Sequence, residues 1–360
     1  VIGGSIARDM IRELPLLPTT VVGSHAIPSW LALVGEARAA GRLGPTDLHE
    51  AYDDAVRVAI RDQIETGVDV ISDGEMRRTM FIRGFYERLT GLTPLPTPRA
   101  LGRPNYDSHP PWDIVGRIEA PEGLGIVDEF RFARVHADRP MRVTVPGPIT
   151  LLMPLRRGGP YASEDSLLAD LVGIVRREIA ALVEAGAELI QIDEPNYVMS
   201  AGKHRVLRAG AGAMLDALRA VLAGVKVKTA LHVCFGNAHG TSFATPRRYR
   251  PLFPDVLDAP VDQFLFEYAN REMCEIELWR EFPTTKQVVV GVVDVKAYRV
   301  ESPEEVAERV RQALDHLPAE RLWMAPDCGL WETPRWVAVS KLRSLVGAAR
   351  LLRRELSGKP

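Results

Sequence analysis

Three cysteines in 360 residues are too few for a disulfide framework. The chain also lacks a run of ~18 or more apolar residues, the length needed to span a bilayer, so no membrane span is expected. Its first residues lack the pattern of a signal peptide, and a reducing cytoplasm is the expected location. Charge of one sign is scarce as a block: 45 Lys and Arg are interspersed with 47 Asp and Glu, for a formal charge of −2. That excludes the basic stripe a nucleic-acid-binding surface requires and points to a small-molecule enzyme. No internal repeat is visible, which excludes a solenoid.

What cysteine there is stands in informative places. Cys234 in TALHVCFGN and Cys328 in MAPDCGLWE sit beside polar motifs at the ends of apolar runs. Cys274, in the helical-looking run REMCEIELW, reads as structural. His232 and Cys234 are two residues apart, and alternation along a strand projects both to the same side. With Glu267 in QFLFEYAN they make four candidate ligands for one metal: His232, Cys234, Glu267 and Cys328. Zinc accepts this mixture of imidazole, thiolate and carboxylate, and a coordinating cation holds a sulfur deprotonated near neutral pH. A lone strand cysteine is more often a small core residue, and four protein ligands also describe a closed structural site. A catalytic site instead keeps one position for water or substrate. Iron doing redox chemistry with the same ligands, and a non-enzymatic accessory that only holds metal or binds a corrinoid protein, stand as alternatives.

With 46% hydrophobic residues the chain can bury a large core. Apolar runs are expected to form strands at Pro18–Val22, Val68–Ser72, Met141–Val145, Glu188–Ile192, Lys226–Cys234, Gln263–Phe266, Gln287–Val293 and Leu322–Ala325. Helical spacing is expected at Leu48–Glu65, Ser163–Glu184, Gly210–Leu222, Glu304–Leu317 and Trp336–Leu352. Eight β/α units in this length predict a single (β/α)8 TIM barrel over residues 1–360, with its site at the C-terminal ends of the strands. Ser24, Asp73-Gly74-Glu75, Asp193-Glu194, His232, Cys234, Glu267, Asp294 and Cys328 all fall there. Asp73-Gly74-Glu75 also reads as a plain turn, Asp193-Glu194 as a charge pair at a helix N-terminus, and His25 as a loop histidine that either touches substrate or bonds backbone. The stretch Arg83–Pro140, which carries Pro94, Pro96, Pro98, Pro104, Pro110, Pro111 and Pro121, is too long for one crossover. It is expected to be an inserted cap or hairpin over the barrel mouth.

These motifs, in this order, resemble the catalytic domain of cobalamin-independent methionine synthase from about Pro18 to the last helix. They are PTTVVGS at 18–24, SDGE at 72–75, VPGPIT at 145–150, IQIDEP at 190–195, HVC at 232–234, Glu267, and APDCGL at 325–330. The resemblance implies a barrel enzyme whose zinc, on His232, Cys234, Glu267 and Cys328, activates a thiol that attacks an alkyl carbon. It places homocysteine against Val22, Ser24, Glu75 and Asp193, the two carboxylates receiving the ammonium group. The departures lie on the donor side. Leu151-Leu152-Met153-Pro154 replaces an Asn-Trp-Ser type sequence, no Arg-Cys-Val-Lys segment occurs, and Lys296 stands where the family has a histidine thought to protonate the folate leaving group. Asp294 and Lys296 are therefore the catalytic candidates, and the chain leaves no room for the family's second barrel. Methyl transfer from a donor other than methyltetrahydrofolate, such as a methylated corrinoid or corrinoid protein, is expected. Opening of an epoxide by a thiol, as in other members of the superfamily, is the alternative.

Overall fold

The computed structural model describes residues 11–358 except Arg12, 79–80, 98–110, Met153, Arg157, 202–209, 238–239, Phe243 and Thr245. Pro98, Pro104, Pro110 and Met153 therefore lie outside the described residues. Among the described residues the strands in chain order are β1 (Thr90–Pro94), β2 (Trp112–Glu119), β3 (Arg142–Pro146), β4 (Leu155–Arg156), β5 (Leu189–Asp193), β6 (Lys228–Val233), β7 (Gln263–Glu267), β8 (Gln287–Val293) and β9 (Leu322–Pro326). Six of them form one parallel sheet in the order β3-β5-β6-β7-β8-β9. Side-chain alternation splits this sheet into two buried faces, as expected when helices cover a parallel sheet. Ile190, Ile192, Leu231, Val233, Phe264, Phe266, Val288, Val290, Leu322 and Met324 pack outward in the large core. Leu189, Ala230, Leu265, Val289, Trp323 and Ala325 point inward and meet Val22 and Val70 in a small separate cluster.

The first two expected strands do not make ladders. Thr19 bridges Met324, Thr20 bridges Val70, and Ile71 bridges Met141, each as an isolated parallel pair. Pro18 has no N–H to give, and the Thr19 N–H donates to Asp69 Oδ2 at 2.8 Å instead of to a neighbouring carbonyl. Hydrogen bonds still pass from β9 through Thr20 N to Met324 O (2.9 Å) and Val70 N to Thr19 O (3.0 Å) to Arg142 N and Ile71 O (2.7 Å), which is the start of β3. The six-stranded sheet and these two bridging segments give the eight-membered α/β arrangement of the TIM-barrel type.

The helices follow the sequence signals. Ser163 caps Glu164–Glu184 and Ser302 caps Pro303–Leu314 with capping boxes, while Gly67 ends Pro45–Thr66 in the left-handed conformation. Helix Ser29–Ala39 is additional to those expected. Residues 83–140 hold the short helix Arg83–Tyr86, the antiparallel pair β1–β2, and helix Ile126–His136, with β4 adding to β2 in parallel. The run around Cys274 is a series of turns, not a helix: Glu272, Met273 and Glu275 have positive φ, and Cys274 is exposed.

His25 is 1% exposed and turned away from solvent. Its Nε2 bonds Asp62 Oδ2 at 3.0 Å, and Arg335 grips the same carboxylate through Nε and Nη2, both at 2.6 Å. Gly74, with φ +76°, gives His25 its room. Burial alone would raise the Asp62 carboxyl, but the His25 and Arg335 bonds outweigh it and hold the group down at about 2. A depressed folded-state value means the stabilisation is full above the unfolded carboxyl range, near 4, and is lost as pH falls toward about 2. Asp62→Asn is therefore expected to destabilise the fold by about 2 kcal/mol at neutral pH. The difference from wild type should shrink in acid. Denaturant unfolding at several pH values checks this, and a difference independent of pH would refute the clamp.

Candidate active site

In the β5–β6 ladder Asp193 is the register partner of His232. Both side chains point inward, so Asp193 Oδ1 lies 2.9 Å from His232 Nδ1 and 2.6 Å from Gln191 Nε2. The carboxylate accepts from Nδ1, which turns Nε2 toward the thiols; burial disfavours charge on the ring, but Asp193 and Cys328 outweigh it and push the imidazole up to about 10, so a metal ion would have to displace the Nε2 proton. Among the described residues the buried Nε2 has no hydrogen-bond partner. Cys234 follows two residues on from His232, and Cys328 comes from the turn after β9. Ligand atoms of His232, Cys234 and Cys328 all lie within 4.8 Å of one another. The two thiols share a proton unequally. The Cys234 contact and the nearby His232 and Lys296 draw Cys328 well below the usual thiol range, and the same contact, with burial, pushes Cys234 up. One imidazole nitrogen and two soft sulfurs, buried and with no hydrogen-bond partner at Nε2 among the described residues, are a donor set suited to a thiophilic divalent ion.

Glu267, at the end of β7, is outside that group of three. Its carboxylate is fully buried and held by Lys296 Nζ at 3.1 and 3.0 Å, with Phe235 N donating at 3.3 Å. Burial opposes charge on Lys296, but the Glu267 carboxylate wins and keeps the ammonium protonated. Asp294 turns toward its own loop: Oδ1 accepts from Lys296 N at 2.7 Å and from Asn270 Nδ2 at 3.2 Å. It therefore positions Lys296.

Val22, Ser24, Glu75 and Asp193 line one cavity of about 250 Å³ together with His232, Cys234 and Cys328. Glu267, Asp294 and Lys296 do not line it. Glu75 Oε1 accepts from Thr144 Oγ1 at 2.6 Å and Arg78 Nη1 at 2.9 Å, in space that a side chain at Gly23 would fill. Burial, only partly opposed by Arg78, pushes the Glu75 carboxyl up to about 7. Gly329 leaves comparable room for the Ser24 hydroxyl. Glu194 has a different task from its neighbour: it accepts from Ile149 N (3.0 Å), Thr150 N (2.9 Å) and Thr150 Oγ1 (2.7 Å), capping the short helix Pro148–Leu152. His25 is not in the cavity wall. The wall also includes Arg78, Phe81, Asn237 and Trp331, which were not anticipated. Their signal was their position within a few residues of SDGE, HVC and DCG.

Removing one partner of a buried ion pair leaves an uncompensated charge. Lys296→Met is expected to cost about 3 kcal/mol of stability, and Lys296→Arg less. Equal unfolding midpoints for wild type and Lys296→Met would show that the Glu267 pair is not a structural tie.

Residues 17–351 match the family model described as the catalytic domain of cobalamin-independent synthase. The methionine synthase of Sulfurisphaera tokodaii is 36% identical over 348 residues, covering 96% of each chain. That of Saccharolobus solfataricus is 35% identical over 350 residues, covering 97% of this chain and 98% of the relative. Among solved structures, a B12-independent methionine synthase from Shewanella sp. W3-18-1 in complex with selenomethionine superposes with a TM-score of 0.79 at 27% identity, over 95% of this chain and 99% of that one. With the parallel α/β arrangement and the strand-end cavity in place, these matches mean that the chain belongs to the cobalamin-independent methionine synthase family and is a methyltransferase.

Proposed function

We propose that the protein transfers a methyl group to the sulfur of homocysteine, giving methionine, with zinc on His232, Cys234 and Cys328 and with Glu267 as a fourth ligand that yields to the substrate. The observation that carries this reading is the imidazole of His232, fixed by Asp193 so that its unpartnered Nε2 accompanies two cysteine thiols on the wall of the cavity. The solved relative that holds selenomethionine supports an amino acid of this size in the cavity. A zinc ion there supplies Lewis acidity that favours the ionised form of a thiol.

The protein groups divide the remaining work. Neither of the Asp193 bonds described above uses Oδ2, and Glu75 lies on the same wall, so the two acids are matched to the ammonium group of an amino acid. Ser24 and the backbone at Val22 are matched to its carboxylate. Fixing both ends of a short substrate aims its sulfur at the His232 side of the cavity, and positioning of this kind supplies much of the rate for an in-line displacement. In the displacement a C–S bond forms as the bond from carbon to the donor breaks, and the leaving group takes the electron pair. Asp294 and the Lys296 ammonium lie behind Glu267 and set its position, so Lys296 acts on the ligand and not on a folate nitrogen. With the family's proton donor replaced by a lysine already engaged, a donor that leaves without protonation, such as a methylated corrinoid, is favoured.

Cys234→Ser and Cys328→Ser are each expected to abolish stoichiometric zinc binding and homocysteine methylation while circular dichroism stays unchanged. Full turnover by a zinc-depleted preparation would sink the proposal. Asp193→Asn replaces the charged acceptor that orients His232 with a neutral amide, and zinc affinity should fall about 10–100-fold. The same variant should also raise the KM for homocysteine, whereas Glu75→Gln should raise KM with zinc affinity unchanged. Competition with a chromophoric chelator separates the two effects.

A further inference from the structure

Behind the Glu75 wall lies a second cavity of about 290 Å³, bounded by Arg38, Arg77, Arg78, Arg88, Glu87 and Glu129 among others. Four guanidiniums face two carboxyls there. Two of the four are engaged elsewhere: Arg77 pairs with Asp53, and Arg78 bonds Glu75 at 2.9 Å and Thr144 O at 2.5 Å. Arg38 and Arg88 make no side-chain hydrogen bond or ion pair among the described residues, and both are exposed at the rim. Gly125, with φ +84°, admits the Arg88 guanidinium, which any side chain at that position would strike. Inside, two polar atoms are buried without a partner among the described residues: Arg78 Nε and Glu129 Oε2, on side chains each 8% exposed. Burial and Asp73 push the Glu129 carboxyl up to about 7, against the pull of Arg78, Arg88 and Arg77, so near neutral pH the acid is only partly ionised. An unsatisfied donor and a partly ionised acid in a cavity rimmed by uncommitted guanidiniums are complementary to an oxyanion.

We propose that this cavity is a second binding site, for a small phosphate- or carboxylate-bearing anion, and that Arg78, which walls both cavities, couples it to the amino-acid pocket. An anion on the free Arg78 Nε offsets the guanidinium charge that opposes a substrate ammonium, while the Nη1 bond to Glu75 stays in place, and so tightens amino-acid binding. Linkage makes the effect reciprocal. The coupling rests on the reading of Glu75 given under Proposed function; the anion site does not.

The test is calorimetric titration of the zinc-loaded protein with inorganic phosphate and, separately, with succinate, at constant ionic strength, followed by homocysteine titrations with and without the anion. Saturable binding of either probe is expected, weakened about tenfold in Arg88→Gln by loss of a charge-assisted contact, with Arg88→Lys in between. Circular dichroism establishes that both variants are folded. No saturable binding, or equal binding by wild type and Arg88→Gln, overturns the site. Homocysteine affinity should rise about threefold with the anion bound, within the usual range of coupling between sites. An unchanged homocysteine affinity overturns the coupling alone. Failure of homocysteine to bind under any condition counts against the proposed reaction and leaves the phosphate and succinate result to judge the anion site.

Discussion

The hydrogen bond from His232 to Asp193 is the constraint on which the rest of the site depends. It exists because two adjacent parallel strands are in a register that makes these residues partners, and because alternation turns both inward. A slip by one residue in β6 would send the imidazole into the outer core and bring Leu231 or Val233 into the cavity, and a slip in β5 would do the same to the carboxylate that holds it. The register is held by the outer face, where Ile190, Ile192, Leu231 and Val233 are fully buried beneath helices. The chemistry of the inner face is thus guaranteed by hydrophobic packing on the opposite one.

The interior polarity changes in steps along the barrel. Leu189, Ala230, Leu265 and Val289 make an apolar cluster on the inner face. At a neighbouring position on each strand the buried Arg142 reaches Gln191 Oε1 at 2.9 Å and Gln263 Oε1 at 2.7 Å, and burial lowers its pKa to about 9. Gln191 then passes its amide to Asp193 Oδ1 and to Val22 O at 2.7 Å. A buried cation satisfied by neutral amides, rather than by carboxylates, leaves Asp193 its full charge for His232 and for the cavity.

Most of this was legible in the sequence where the signal was local. Short apolar runs marked the six laddered strands to within about two residues, the usual uncertainty of element ends, and helical spacing marked the helices that Ser163 and Ser302 cap in the structure. The grouping of His232, Cys234 and Cys328 followed from residue type and from strand ends sharing one rim. What depended on three-dimensional partners was not legible. Nothing near Lys296 announces that its ammonium is tied to Glu267, 29 positions earlier, or that His25 is claimed by Asp62. The turns around Cys274 escaped because Glu272, Met273 and Glu275 adopt positive φ without glycine, a conformation the sequence does not signal.

The clamp of Arg335 on Asp62 joins positions 273 residues apart, and the bridges of Thr19 to Met324 and Leu330 N to Ser24 O (2.9 Å) span still more chain. Such contacts are the slowest to form, because the loop between them must be ordered first. Ser24 and Cys328, which both line the cavity, belong to the two segments so joined. The pocket is therefore among the last parts of the molecule to be assembled. A chain still emerging from the ribosome carries His232 and Cys234 well before Cys328, and the three can meet only once β9 has been made and paired with β8.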